Sequence, residues 1–116
     1  PEKIAYAINR YDFEAWRHWK IVEAQLAKVK NGPWMMGERY TLLDMAVWGW
    51  ARAAPFALGD QAWEQLPHVK RLLDTVNARP AAQRAAALQD RHSFKTELDD
   101  EARRAMFPQN ERLKQH

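Results

Sequence analysis

The sequence predicts an all-α domain, and three observations carry this prediction. Between residues 4 and 30, apolar side chains recur every three or four positions, which is the spacing of one helix face. Residues 42–58 carry only two charged side chains, Asp44 and Arg52, and follow directly on a helix-start signal. No segment shows the alternation of apolar and polar residues that is typical of a half-buried strand. We therefore expect a bundle of helices.

The first helix, predicted over residues 4–30, has two apolar faces. Its main face consists of Ile8, Tyr11, Ala15, Trp19, Val22, Leu26 and Val29. Phe13 and Trp16 lie three apart off this stripe, so we expect the helix to pack against an additional element, either a preceding helix of the domain or another subunit. Gly32 can adopt a left-handed cap and Pro33 blocks continuation, so the helix ends there.

The second helix begins with a capping box. Thr41 and Asp44 lie three apart, so the Thr41 side chain can accept the amide of Asp44 while the Asp44 carboxylate accepts the amide of Thr41. Tyr40 before the cap and Met45 after the box can pack together as a hydrophobic staple. Because this helix is apolar nearly all round, we expect it to be the buried centre of the domain, kinked or ended at Pro55.

A short loop then leads to two further helices. Pro67 suits the first position of the third helix. The apolar face of that helix comprises Leu66, Val69, Leu72, Leu73 and Val76. Pro80 interrupts the chain after Arg79, and residues 81–88 are predicted to form a short alanine-rich helix. These elements define a predicted helical domain of residues 1–90.

Residues 91–116 are predicted to form a charged tail with one short helix. Acidic residues 99–101 and basic residues 103–104 would lie at the start and end of that helix, where they complement its dipole. Pro108 should stop it.

Composition excludes several classes of protein. The chain has no cysteine, which rules out a disulfide scaffold, a thiol nucleophile and a cysteine zinc site, and fits a cytoplasmic protein. No stretch of eighteen apolar residues without charges predicts a membrane helix. The net charge is +3, and acidic residues interrupt every basic cluster, so we expect no nucleic-acid partner.

Hydrolytic and metal chemistry are poorly supported by the residues present. Ser93 is the only serine and lies in the polar tail without a glycine elbow. The four histidines are scattered, and no pair has the spacing of metal ligands. Asp12 and Glu14 are two apart on a helix and point in different directions. We predict no catalytic residue and no metal site in this chain.

Three segments resemble one known family. Residues 37–45, Gly-Glu-Arg-Tyr-Thr-Leu-Leu-Asp-Met, resemble the folding motif of the C-terminal domain of glutathione transferases. Residues 67–72 and 78–81 resemble the family's ending, in which one helix stops and the last begins. Residues 1–11 resemble a bacterial branch, the nu-class-like glutathione-dependent disulfide-bond oxidoreductases. Together, the matches cover about residues 1–88.

The resemblance implies a helical domain that is incomplete at its N-terminal end and lacks the family's N-terminal thioredoxin-like domain. The chain would then be part of a longer disulfide-bond reductase that uses glutathione, forms a homodimer and acts on a small-molecule or disulfide substrate. The isolated chain should be inactive, because thiol activation belongs to the N-terminal domain. Two alternatives are a natural stand-alone domain and a non-catalytic helical interaction or scaffold module.

The resemblance also implies binding residues. Arg10 matches an arginine that contacts glutathione in the bacterial branch, and a guanidinium can hold a carboxylate through two hydrogen bonds. The alternative is an ordinary surface arginine or one paired with Glu14. Trp48, Trp50 and Arg52 lie near the helix that lines the second-substrate pocket, although apolar residues on such a helix usually belong to the core.

Overall fold

A computed structural model of the chain describes residues 3–93, 95 and 97–110. These residues form seven α-helices: α1 (Ala5–Lys28), α2 (Leu42–Ala51), α3 (Ala54–Leu58), α4 (Ala62–Gln65), α5 (Pro67–Asn77), α6 (Pro80–Ala86) and α7 (Asp100–Met106). Outside the helices of the described part, β-pairing is confined to two isolated bridges within residues 34–39. The predicted all-α class is therefore confirmed.

The chain divides into two compact units, Pro1–Gln83 and Arg84–His116. The boundary predicted between residues 90 and 91 stays a prediction. Residues 1–2 of the predicted domain, and residues 94, 96 and 111–116 of the predicted tail, lie outside the described residues. None of the helices in the described part combines the length and the apolar character needed to cross a membrane.

The core of the first unit lies around α5, which packs against α1, α2 and α4. The apolar face predicted for α5 is buried in full, and Pro67 occupies its first turn as expected. The core residues are Leu26, Met35, Val47, Ala51, Leu66, Val69, Leu72, Leu73, Val76 and Ala82. The central helix of this unit is therefore α5, because three other helices pack against its apolar face.

The expectation that the second helix is buried on all sides is wrong for this chain. Asp44, Val47 and Ala51 face inward, whereas Leu42 is 79% exposed and Trp50 is 76% exposed. A helix that is apolar all round needs neighbours on every side, and α2 packs chiefly against α5. The remainder of α2 presents an apolar surface of the kind that marks interfaces.

The N-terminal half of α1 also presents apolar side chains to solvent. The large apolar residues that are more than half exposed there are Ile4, Tyr6, Ile8, Tyr11 and Phe13. Its C-terminal half packs on the core through Trp16, Trp19, Val22 and Leu26. The helix has 24 residues and is about 36 Å long, so roughly half of its length extends along uncovered surface.

The helix predicted over residues 42–58 is interrupted next to Pro55, where a kink or an end was expected. It forms two helices, because α2 ends at Ala51 and α3 begins at Ala54. Pro55 lies in the first turn of α3, and a proline ring clashes with the carbonyl of the residue four positions earlier, here Ala51. Helix α4 is missing from the predictions because four residues are too few to show a helical period.

In the second unit, α7 has the predicted charge arrangement. Asp99 is its N-cap, and the Asp99 carboxylate accepts the amide of Ala102 at 2.8 Å. Lys95 Nζ pairs with Asp99 at 3.0 Å and with Glu101 at 2.6 Å. The helix ends at Met106, shortly before Pro108, as expected.

Replacing Gly49 with alanine should stabilise the chain. Gly49 lies inside α2, and apart from its chain neighbours and the adjacent helix backbone no heavy atom lies within 4 Å of the position that a Cβ would take. Since glycine in a helix interior costs about 0.5–1 kcal/mol relative to alanine, the free energy of unfolding should rise by that amount. Urea unfolding followed by tryptophan fluorescence measures the change.

Gly32 supplies the matched control for this substitution. Its φ is 88°, and an added Cβ would lie 2.4 Å from the carbonyl oxygen of Gly37. Gly32→Ala should therefore destabilise the chain. An unfolding midpoint for Gly49→Ala below that of the parent would contradict the expectation.

Candidate functional site

Asp44 organises the start of α2. Its Oδ2 accepts the Thr41 amide at 2.8 Å and the Thr41 hydroxyl at 2.9 Å, and the capping box is present in both directions. Its Oδ1 accepts the amide of Met35 at 2.8 Å. The carboxylate is fully buried, with 0% exposure. One side chain therefore fixes both the helix start and the loop before it.

Tyr40 packs against the same loop and the end of α5. Its ring meets the ring of Trp34 edge-on, with centroids 4.8 Å apart. The Arg79 guanidinium lies 3.9 Å from the Tyr40 ring centroid. Met45, the other member of the predicted staple, is exposed, and its contact with Tyr40 stays a prediction.

Arg10 lies on the exposed N-terminal half of α1. Its candidate partner Glu14 accepts a 2.8 Å hydrogen bond from Arg17 Nε, and this bond lowers the pKa of Glu14. Among the described residues, no hydrogen bond or ion pair within 4 Å engages the Arg10 side chain, although its charge also helps to lower the pKa of Glu14. The guanidinium is available to an anion.

An apolar groove of about 320 Å³ lies between α1 and α2. Its lining comprises His18, Trp19, Val22, Ala46, Val47 and Trp50. His18 Nδ1 lies 2.8 Å from the carbonyl oxygen of Glu14, which can only accept, so this nitrogen carries the proton. The groove is large enough for a small organic molecule or for side chains of a neighbouring segment.

The three predicted pocket residues do not line one surface. Trp50 lines the groove between α1 and α2. Trp48 instead donates its Nε1 hydrogen to Asn77 Oδ1 at 2.8 Å, and Arg52 lies 5.3 Å above the Trp48 ring. Residues two apart on a helix point in nearly opposite directions, which separates Trp50 from this pair.

Glu23 is a tertiary contact that the sequence predictions missed. Its carboxylate accepts the amides of His68 at 3.1 Å and Val69 at 2.9 Å, and it also contacts His68 Nδ1. These amides belong to the first turn of α5, whose own N-cap is Leu66 without a side-chain cap. The sequence did contain one signal of this contact. Leu66 cannot cap α5 with its side chain, so the free amides of the first turn need an acceptor from another segment.

The ionisation of Glu23 follows from two opposing effects. Burial raises its pKa, because the side chain is only 12% exposed. The hydrogen bonds from the Val69 amide and from His68 outweigh burial and hold the pKa below its ordinary value of 4.5. The carboxylate is therefore charged at neutral pH, at the positive end of the α5 dipole.

The family is decided by sequence comparison. The family described as "Glutathione S-transferase, C-terminal domain" matches residues 11–84, more than half of the chain. The chain belongs to this family. The resemblance predicted from the motif of residues 37–45 is thereby confirmed.

Curated relatives of this glutathione transferase domain include bacterial oxidoreductases. This chain is 34% identical over 101 residues to the disulfide-bond oxidoreductase YfcG of Escherichia coli. The match covers 87% of this chain and 41% of YfcG. The chain is 38% identical over 89 residues to the disulfide-bond oxidoreductase YghU of the same organism, covering 72% and 30%. An uncharacterized GST-like protein of Streptococcus mutans is 36% identical over 91 residues, covering 73% and 34%.

The glutathione transferase domain spans less than half the length of each of these relatives. No solved structure gives a significant match to the chain. Among the described residues, no group of three or more His, Cys, Asp or Glu side chains could hold a metal ion.

Proposed function

We propose that this chain is the helical C-terminal domain of a glutathione-dependent disulfide-bond oxidoreductase. Its membership in the glutathione transferase C-terminal family supports the proposal, as do the printed names of two relatives. The chain has no cysteine, so this domain supplies no thiol of its own, and we assign the thiol that exchanges with a disulfide substrate to bound glutathione. The cytoplasm, where glutathione keeps thiols reduced, is the expected compartment.

Arg10 is the residue that we assign to glutathione binding. The observation behind this assignment is an exposed guanidinium whose candidate partner Glu14 accepts a hydrogen bond from Arg17. A carboxylate of glutathione can accept two hydrogen bonds from the planar Arg10 fork, which fixes orientation as well as charge. Arg10 would thus hold the tripeptide in place and take no part in proton or electron transfer.

The exposed apolar surfaces of α1 and α2 are suited to contact the other two proposed partners, an N-terminal domain and a second subunit. The N-terminal half of α1 and the outer faces of α2 would face an N-terminal thioredoxin-like domain, which activates the thiol, and a second subunit. Trp50 and the groove between α1 and α2 would form part of the second-substrate wall. Trp48 and Arg52 lie on another side of α2 and are the weaker candidates.

Arg10→Ala in the full-length protein tests the proposal. Loss of a charge-assisted hydrogen-bonding group costs about 1.5–3 kcal/mol, so the dissociation constant for glutathione should rise by about ten- to a hundredfold. Isothermal titration calorimetry measures it, and Arg10→Lys should recover only part of the loss because lysine lacks the planar fork.

Lys28→Ala is the control on the same helix, because Lys28 is an exposed cation in its last turn and this variant leaves the Glu14–Arg17 pair intact. Its glutathione affinity should stay near that of the parent. If Arg10→Ala binds glutathione as tightly as the parent protein, the assignment of Arg10 is wrong. If the full-length protein binds no glutathione at all, the scaffold alternative replaces the enzyme.

A further inference from the structure

The direction of α1 is set by its C-terminal half. Toward the N-terminus, the large apolar side chains from Ile4 to Phe13 are more than half exposed. Toward the C-terminus, Leu26 is fully buried and Trp19 and Val22 pack on the core. Within this chain α1 is supported at its C-terminal end, and contacts at this supported end contribute to the position at which its N-terminal half meets the partners proposed to cover it.

Polar contacts from Glu23 and Lys20 join the supported end of α1 to the start of α5 and to the end of α4. Glu23 accepts the amides of His68 and Val69 and contacts the His68 ring. One turn earlier, Lys20 Nζ donates to the carbonyl oxygen of Gln65 at 3.3 Å. Hydrogen bonds are directional, so these contacts fix rotation and tilt in a way that apolar packing does not.

We infer that Glu23 is a positioning residue for glutathione binding, because it anchors the helix that presents Arg10. The inference rests on the proposed role of Arg10. Thirteen residues separate the two positions, a distance of about 20 Å along the helix, so a tilt of about 3° at Glu23 moves Arg10 by about 1 Å. A displacement of that size would lengthen or misalign the two directional hydrogen bonds proposed between the Arg10 guanidinium and a glutathione carboxylate.

Glu23→Ala in the full-length protein is the first test. It removes the carboxylate from both α5 amides, and the dissociation constant for glutathione should rise on the order of tenfold, which corresponds to the loss of about one charge-assisted hydrogen bond. Calorimetry well below the melting temperature measures this change. Glu23→Gln keeps one acceptor oxygen and should give an intermediate value. Thr41→Ala is the control, because it weakens the start of α2 without touching α1.

A double-mutant cycle separates positioning from general destabilisation. In an Arg10→Ala background, Glu23→Ala should change the dissociation constant by less than about twofold, because the group it positions is absent. A purely structural role would give the same change with or without Arg10, and that outcome overturns the inference. Should Glu23→Ala fail to fold, the same cycle with Glu23→Gln, which removes one acceptor oxygen from the two amides, decides the question.

The two proposals fail in different ways. If Arg10→Ala leaves glutathione affinity unchanged, the proposed function of Arg10 is wrong and the cycle has no basis. If Arg10→Ala weakens binding but Glu23→Ala and Glu23→Gln do not, Arg10 keeps its role and only the positioning role of Glu23 is wrong.

Discussion

Asp44→Ala is expected to lower the free energy of unfolding by about 3 kcal/mol or more, since each buried amide left without an acceptor costs about 1–3 kcal/mol. The amides of Met35 and Thr41 both donate to this carboxylate. A surface cap would be partly replaced by water, but Asp44 is fully buried and no water replaces it without rearrangement. The melting temperature should fall by roughly 10 °C, followed by circular dichroism.

Two further variants show whether the loss of stability in Asp44→Ala comes from the buried hydrogen bonds. Thr41→Ala removes the hydroxyl that donates to Asp44 but leaves both amides bonded, so it should cost about 1 kcal/mol. Asp12→Ala removes an exposed carboxylate from α1 and should leave the melting temperature unchanged. A melting temperature for Asp44→Ala equal to that of Asp12→Ala would refute this account of the α2 start.

The features that the sequence predicts well are local in the chain. Thr41 and Asp44 lie three apart, so their reciprocal hydrogen bonds follow from helix geometry alone. The apolar face of α5 follows in the same way, because the 3.6-residue period decides which side chains share a side. The second donor to Asp44, the amide of Met35, is nine positions away and required the folded loop.

Contacts between distant segments could not be predicted from one sequence. Glu23 and Val69 are 46 positions apart. In the sequence, nothing distinguishes Glu23 from the other charged residues of the first helix. The prediction that α2 is buried was wrong for a related reason. An apolar helix predicts that partners exist, but the sequence does not say whether those partners belong to this chain, and Trp50 remains 76% exposed.

The candidate site was likewise predicted from the sequence only in part. The resemblance predicts a glutathione-binding role for Arg10, which stays a prediction, and the structure adds that Glu14, its alternative partner, pairs with Arg17. It also grouped Trp48, Trp50 and Arg52 by their closeness in sequence. Their side chains lie on different sides of α2, because a helix turns by about 100° at each residue.

Removing the carboxylate of Glu23 should destabilise the chain in a pH-dependent manner. Glu23→Ala deprives the first turn of α5 of its acceptor, and by the values for hydrogen bonds to charged groups and for helix N-caps the cost at neutral pH is about 2 kcal/mol. The amides of His68 and Val69 are the donors left without a partner. Urea unfolding at a series of pH values measures the difference from the parent.

The sign of the pH dependence follows from the pKa of Glu23, which is lower in the folded chain than its ordinary value of 4.5. The folded state therefore favours the charged carboxylate, and its contribution to stability is fully present above that ordinary value. It is lost as the pH falls through the lower, folded-state pKa, because protonation then takes place in both states. The stability difference between the parent and Glu23→Gln should be constant near neutral pH and shrink in acid.

Glu14→Gln is the matched control for this titration. Glu14 lies on the same helix, and its hydrogen bond with Arg17 also lowers its pKa. That pair is open to solvent, which screens it, so its removal should change stability little at any pH. Repeating the comparison in a His68→Ala background removes the other titratable group in contact with Glu23. If the Glu23→Gln difference keeps the same size from neutral to acidic pH, the charge of Glu23 does not stabilise the start of α5.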